Sequence, residues 1–330
     1  MGGRGGSRRG EIRPWVAAWL LLAAVAAGLG NVVLHLWVRH PTTIAPLTAP
    51  RTPLLLESDS IYRLSPWSPF VLERQRLVFF TVPKVGCTVF KQLFRRMEGY
   101  DNWDRHDNRL PHDARYNGLR LLKDFPLKVA ETMLVDDSWT RAIFVRDPKE
   151  RLLSAYLDKG RKAPLMERWC CPSGRMDANG TAVHGASATA PGDCGRVAST
   201  SFEGFLSVAG KCINNHWEQQ ERRMERKFWS QIDFVGHLES ASEDVRRLLV
   251  LLSDGGGEGD LWERFGASGW GDNGTEGIFH DTASIKHSKG AGSKLREYYT
   301  PEIEAKVEDL MWRDYAMGLF NFTKAQISSW

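Results

Sequence analysis

The chain has 330 residues, enough for a large domain whose core folds without covalent staples. Hydrophobic residues at 42% and charged residues at 25% are ordinary for a globular protein. A net charge of +4 gives no electrostatic footprint for nucleic acid, while the mild basic excess suits an anionic cofactor or an anionic glycan.

In chain order, Arg4, Arg8, Arg9 and Arg13 precede a run from Pro14 to Val38 without Asp, Glu, Lys or Arg. At about 1.5 Å per helical residue this run crosses a hydrocarbon core of about 30 Å. The arginines before it predict a cytoplasmic tail at 1–13, a single transmembrane signal anchor at 14–38, and a lumenal remainder. A cleaved signal peptide fits less well, because Arg39-His40-Pro41 is no small-residue cleavage site. Residues 39–72, rich in Pro, Thr and Ser without a period, read as a stem, with the lumenal domain at 73–330. Glycosylation sequons at Asn179, Asn273 and Asn321 all follow the span.

Arg76–Val82 (RLVFFTV) predicts a buried strand, and Pro83–Thr88 (PKVGCT) breaks it. A helix is predicted from Thr88 to Met97, with Val89, Phe90, Leu93, Phe94 and Met97 on its apolar side. A strand, a short loop with Lys and Gly, and a helix N-terminus make an anion cradle. Gly86 lets the backbone approach an anion, Thr88 adds a hydroxyl, and Lys84 a mobile charge. The nucleotide-triphosphatase loop G-x-x-x-x-G-K-[ST] is absent. Arg141–Asp147 (RAIFVRD) predicts a second buried strand, with Asp147 capping the next helix and Pro148 at its first position. Arg146 and Ser154 are candidates for a second anion, since the carboxyl ends of parallel strands are where such folds bind ligands.

Residues 160–200 and 253–277, rich in glycine and small residues, read as surface loop insertions. Cys170, Cys171, Cys194 and Cys212 are expected to form two disulfides, in any of three connectivities, with Cys87 unpaired. The vicinal pair and the lack of C-x-x-C count against zinc. Strands alternating with helices predict an α/β fold with a central parallel sheet flanked by helices.

"VPKVGCTVFKQLFRRM" (82–97) resembles the 5′-phosphosulfate motif of the Golgi carbohydrate sulfotransferases, and "FVRDPKERLLSAYLDK" (144–159) resembles their 3′-phosphate motif. That family includes the chondroitin 4-O-sulfotransferases and the sulfotransferase of the natural-killer carbohydrate epitope. "NNHW" (214–217), "IDFVGHLESASEDVRRLL" (232–249) and "KLREYYTPEIEAKVEDLMWRDYAMGLF" (294–320) resemble its later blocks, although Gln219–Trp229 lacks the Cys-x-x-Cys pair usual in animal members. The resemblance implies a P-loop-like sulfotransferase fold and a Golgi type II enzyme. It would use 3′-phosphoadenylyl sulfate (PAPS) as donor, a glycan or proteoglycan as acceptor, and no metal. It implies that Pro83, Lys84, Val85, Gly86, Cys87, Thr88 and Val89 hold the 5′-phosphosulfate, and that Arg146 and Ser154 hold the 3′-phosphate. The segment Lys286–Gly290 is expected to close over the donor, with Lys289 against phosphate; a solvated loop is the alternative.

Sulfuryl transfer needs positioning, charge stabilisation and a base. Lys84 is the candidate for the leaving oxygen. His112 is the first candidate base, His216 the second, with His106, Asp113 and Glu239 behind them; His237 and Glu239 are expected mainly to hold the fold. A lumenal glycosyltransferase would share the anchor and stem but needs a D-x-D metal site, which Asp136-Asp137 lacks. A catalytically inactive membrane-anchored glycan-binding protein is the other alternative.

Overall fold

The computed structural model describes residues 68–107, 109–171, 194–256, 259–280, 290–324 and 327. The expected anchor, Asn179 and Lys289 lie outside the described residues, as does the stem except for residues 68–72. Among the described residues no helix is long and apolar enough to cross a membrane.

Five strands form one sheet: β1 (Phe70–Leu72), β2 (Leu77–Phe80), β3 (Arg120–Leu121), β4 (Thr140–Val145) and β5 (Phe234–His237), in the order β3-β1-β2-β4-β5. β2, β4 and β5 are parallel, with Phe79 opposite Ala142 and Ala142 opposite Phe234. Every residue of β2 is buried, and all of β4 but its first, which is why both read as unbroken apolar runs. The sheet is nevertheless mixed, because β1 and β3 add an antiparallel edge. β1 falls within the stretch read as stem: three apolar residues are too few to show a period, yet all three are buried.

Helix α1 (Cys87–Met97) follows β2 and lays Phe90 and Phe94 on it, both at 4.8 Å from Phe79 between ring centroids; Phe90 also meets Phe144 at 4.6 Å. Each such side chain contributes about 1.5–3 kcal/mol by leaving water. α2 (Leu127–Val135) leads into β4. α3 (Pro148–Ala155) begins as expected: the Asp147 carboxylate accepts from the Lys149 N–H at 2.9 Å and the Glu150 N–H at 3.0 Å, with Pro148 in the first turn. It continues into a π turn, Tyr156–Gly160.

The described parts of 160–200 are helical: α4 (Ala163–Cys170) and α5 (Cys194–Thr200), followed by α6 (Phe202–Ala209). Disulfides Cys170–Cys212 and Cys171–Cys194 pin them, and Cys87 is free. The region 253–277 is less of a loop than its glycines imply. α7 (Ala241–Gly256) runs into it, and a turn at Trp262–Gly266 follows. Its aromatic residues dock it. The Arg96 guanidinium lies over Trp103 at 4.9 Å and Trp270 at 5.9 Å, and donates to the Phe265 carbonyl at 3.0 Å. Near the C-terminus, α8 (Leu295–Tyr298) and α9 (Pro301–Leu310) close over α3, where buried Lys149 pairs with Glu304 at 3.0 Å and Glu308 at 2.9 Å.

Candidate active site

The carboxyl ends of β2 and β4 open on one cavity of about 1250 Å³. Pro83, Lys84, Gly86, Cys87, Thr88 and Val89 line it from the first strand end, and Arg146 and Ser154 from the second. Val85 does not: its side chain is 2% exposed and packs in the core, and its N–H donates to the Val82 carbonyl at 3.3 Å. An apolar side chain has more to gain in the core than at a polar mouth. Gly290–Ser293 also line the cavity, next to the undescribed segment that holds Lys289.

The first loop works through its backbone. Lys84 has φ +70° and Gly86 φ +63°, so the chain turns sharply into α1. No side chain caps α1, and its first turn carries no acid. The opening N–H groups and the positive end of the helix dipole are therefore open to an anion. A Cβ on Gly86 would sit 3.0 Å from the Phe279 ring, a close approach only glycine tolerates. Lys84 Nζ forms an ion pair with Asp158 Oδ2 at 2.9 Å. Burial lowers the Lys84 pKa, and the Asp158 charge opposes that fall.

The second loop works through side chains. The Arg146 N–H donates to Gln220 Oε1 at 2.9 Å, its Nη2 to Glu150 at 2.8 Å, and its Nη1 to the Lys84 carbonyl at 3.3 Å. Arg146 Nε is buried without a hydrogen-bond partner among the described residues. Ser154 is 5% exposed and faces the same cavity. Glu239 accepts from the Asp147 N–H at 2.8 Å; burial, with Glu150 adding repulsion, pushes its carboxyl up to about 7.

Three histidines line the cavity, His106, His112 and His216, and the last two differ in their bonding. His112 Nε2 lies 3.2 Å from Thr88 Oγ1, and its Nδ1 3.3 Å from Lys91 Nζ. A protonated Lys91 can only donate, so Nδ1 accepts and Nε2–H donates to Thr88. His216 Nδ1 lies 2.8 Å from Asn214 Oδ1, which also accepts the His216 N–H at 3.0 Å. That amide oxygen fixes the proton on Nδ1 and leaves the Nε2 lone pair open. The His216 ring stacks on Trp169 at 5.5 Å, and burial, with Lys159 and Lys84 adding, pushes its pKa down to about 4. His106 lies edge-on to His112 at 5.9 Å between ring centroids. Asp113 is held down to about 2 by Arg115 and does not line the cavity. His237 donates from Nε2 to the Phe320 carbonyl at 2.7 Å, a fold-holding contact.

Sequence reasoning missed Arg151, Arg223 and Asp158. Arg151 is buried and donates to the carbonyls of Pro83 at 3.0 Å, Glu218 at 2.7 Å and Asn215 at 3.1 Å, which ties both strand ends to the NNHW segment. Arg223 lines the cavity and donates to the Thr81 carbonyl. The two arginines bond carbonyls distant in sequence and Asp158 pairs with Lys84 across the fold, so no local pattern marks these contacts. Asp136, the nearest approach to a D-x-D site, does not line the cavity. Among the described residues no group of three His, Cys, Asp or Glu could hold a metal ion.

Three curated relatives illustrate the similarity. Carbohydrate sulfotransferase 10 of Xenopus laevis is 34% identical over 101 residues, 30% of this chain and 28% of the relative. Human carbohydrate sulfotransferase 9 is 35% identical over 92 residues, 27% of this chain and 20% of the relative. Human carbohydrate sulfotransferase 10 is 33% identical over 120 residues, 34% of this chain and 33% of the relative. The matched segments thus span a third or less of each relative's length. No solved structure matches. The sulfotransferase family as a whole matches residues 67–321, a stretch that takes in all five strands and both strand-end loops. On that match across most of its length, the chain belongs to the sulfotransferase family.

Proposed function

We propose that this protein is a carbohydrate O-sulfotransferase: it moves a sulfuryl group from PAPS to a glycan or proteoglycan hydroxyl in the Golgi lumen, held there by a single-pass type II anchor at 14–38. The observation that carries the reading is that Pro83, Lys84 and residues 86–89 from one strand end and Arg146, Glu150 and Ser154 from the other border one cavity, bridged by the bond from Arg146 to the Lys84 carbonyl. The donor has two anionic ends, and the cavity has two cationic sites of different construction. The uncapped α1 terminus suits the 5′-phosphosulfate, and the orphaned Arg146 Nε beside Ser154 suits the 3′-phosphate.

In the proposed reaction the acceptor hydroxyl oxygen forms a new bond to sulfur. The bond from sulfur to the 5′-phosphate oxygen breaks, and its electron pair leaves with adenosine 3′,5′-bisphosphate. Lys84 stabilises the charge on that oxygen. The hydroxyl proton passes to a base, and the bonding pattern favours Nε2 of His216 over His112, whose two nitrogens are engaged. His112 then orients the Thr88 hydroxyl, whose own proton points to an anion. The relatives' names support a carbohydrate acceptor.

The test is incubation of the full chain with radiolabelled PAPS and a panel of glycosaminoglycans and N-glycans. Label should enter at least one glycan, and Lys84→Ala should abolish the transfer. A chain that neither transfers label nor binds adenosine 3′,5′-bisphosphate in a calorimetric titration sinks the proposal.

A further inference from the structure

We infer that Asp158, carried into the cavity by the π turn at the end of α3, is the positioning residue for Lys84: it holds the lysine ammonium charged and aimed at the leaving oxygen. The inference rests on the leaving-group role proposed for Lys84.

The sequence Tyr-Leu-Asp-Lys-Gly at 156–160 does not continue α3 as a regular helix but widens it by one turn. Such single π turns occur mostly inside helices and often at functional sites. Here Gly160 fixes it. A Cβ at this position would come within 2.6 Å of the Phe205 ring on α6 and 2.8 Å of the Tyr156 ring. The backbone is therefore pressed against α6, and residues 158 and 159 both face the cavity. Asp158 Oδ2 sits 2.9 Å from Lys84 Nζ, with the two side chains only 19% and 13% exposed. Lys159 at 3.4 Å and Lys162 at 3.8 Å surround the same carboxylate.

The groups facing Lys84 are Asp158 and Lys159 of the π turn, Cys87 at the start of α1, Arg146 after β4, and His216 of the NNHW segment. Burial alone lowers the lysine's pKa, Lys159 adds to that, and Asp158 is the principal group opposing it. Asp158 is a poor proton acceptor: burial works against its charge, but Lys84, Lys159 and Lys162 outweigh burial and hold its carboxyl well below the usual range. A group so strongly ionised serves by its charge and not as a base.

The experiment uses the full chain, PAPS, and the glycan that takes most label in the panel. Asp158→Asn should cut kcat about tenfold or more, leave the KM for PAPS within about twofold, and move the alkaline limb of the kcat profile to lower pH. The sign follows from removing the opposing charge, since Lys84 then loses its proton earlier. Asp158→Glu, which keeps the charge, should return the limb toward the wild-type position, a rescue that a merely structural role would not give. An unmoved alkaline limb in Asp158→Asn overturns the inference, as does an equal loss in Asp158→Asn and Asp158→Glu. If Asp158→Asn does not fold, the Glu variant decides alone: a wild-type limb supports the inference, and a shifted limb overturns it. Failure of the underlying reading looks different, because there Lys84→Ala itself leaves turnover unchanged.

Discussion

The two strand ends that border the cavity hold charge by opposite means. After β2 the chain offers backbone: left-handed turns at Lys84 and Gly86, an uncapped helix start, and one lysine. After β4 it offers side chains: Arg146 is clamped by Gln220, Glu150 and the Lys84 carbonyl, above an aspartate-capped helix. A backbone cradle depends on conformation and tolerates many side chains. A side-chain clamp depends on partners brought from elsewhere in the chain. The first should therefore fail by strain and the second by loss of a single charge.

Arg151 joins the two ends, so its removal should have the largest effect. Arg151→Met keeps the aliphatic bulk but leaves the Pro83, Asn215 and Glu218 carbonyls without their buried donor. At about 1–3 kcal/mol for each buried group left unpaired, the loss should exceed about 3 kcal/mol. Thermal unfolding of the full chain should show it as a clear drop in Tm. A variant with wild-type Tm would mean that the two loops are not coupled through this residue.

Next comes the clamp itself. Arg146→Ala should weaken binding of adenosine 3′,5′-bisphosphate by about a hundredfold, because a desolvated phosphate loses its charge-assisted donors. Arg146→Lys should recover only part, since an ammonium lacks the guanidinium fork. Calorimetric titration reads both, and unchanged affinity in Arg146→Ala would break the assignment of this strand end. The backbone cradle should respond more gently. Gly86→Ala forces a side chain into a left-handed conformation and against Phe279 at 3.0 Å. A cost of about 1–2 kcal/mol corresponds to roughly tenfold weaker binding. Wild-type binding would show that the loop does not need its present shape.

The same contrast explains what was legible in the sequence. β2, β4, α1 and the capped start of α3 were readable because their signals are local: apolar runs, Asp147-Pro148, and Gly86 before a helix. The placement of the first loop at the strand end was readable for the same reason, except that Val85 turns inward. The clamp was visible only as Arg146 and Ser154. Gln220, Glu239, Arg151 and Asp158 reach their partners across the fold, and residue type alone does not announce such contacts. β1 was hidden in a stretch that looked like stem, because three residues cannot display a period. The region 253–277 looked like a loop because its glycines outnumber its few aromatics, of which Trp270 docks it on Arg96.

The smallest expected effect concerns the acid behind the clamp. Glu239 is lifted from an ordinary 4.5 to about 7 by burial, with Glu150 adding to the lift and the Asp147 N–H and Arg146 opposing it. The folded state therefore holds a proton that the unfolded chain releases. The stability this confers is full below about pH 4.5 and is lost as the pH rises through about 7. Glu239→Gln keeps an acceptor for the Asp147 N–H and removes the titration. The Glu239 side chain is open to the solvent of the cavity, which damps the effect, so between pH 5 and pH 8 the wild-type Tm should fall by more than that of the variant by only on the order of 1 °C. The same titration bears on the clamp, because an ionised Glu239 near Arg146 competes with an incoming phosphate. Adenosine bisphosphate affinity should thus decline from pH 6 to pH 8 in the wild type and stay flatter in Glu239→Gln. The backbone cradle contains no such acid, so Gly86→Ala should retain the wild-type pH slope while lowering affinity throughout. Parallel Tm and affinity curves for wild type and Glu239→Gln would remove the acid from the clamp and leave Glu239 as a holder of the Asp147 turn alone.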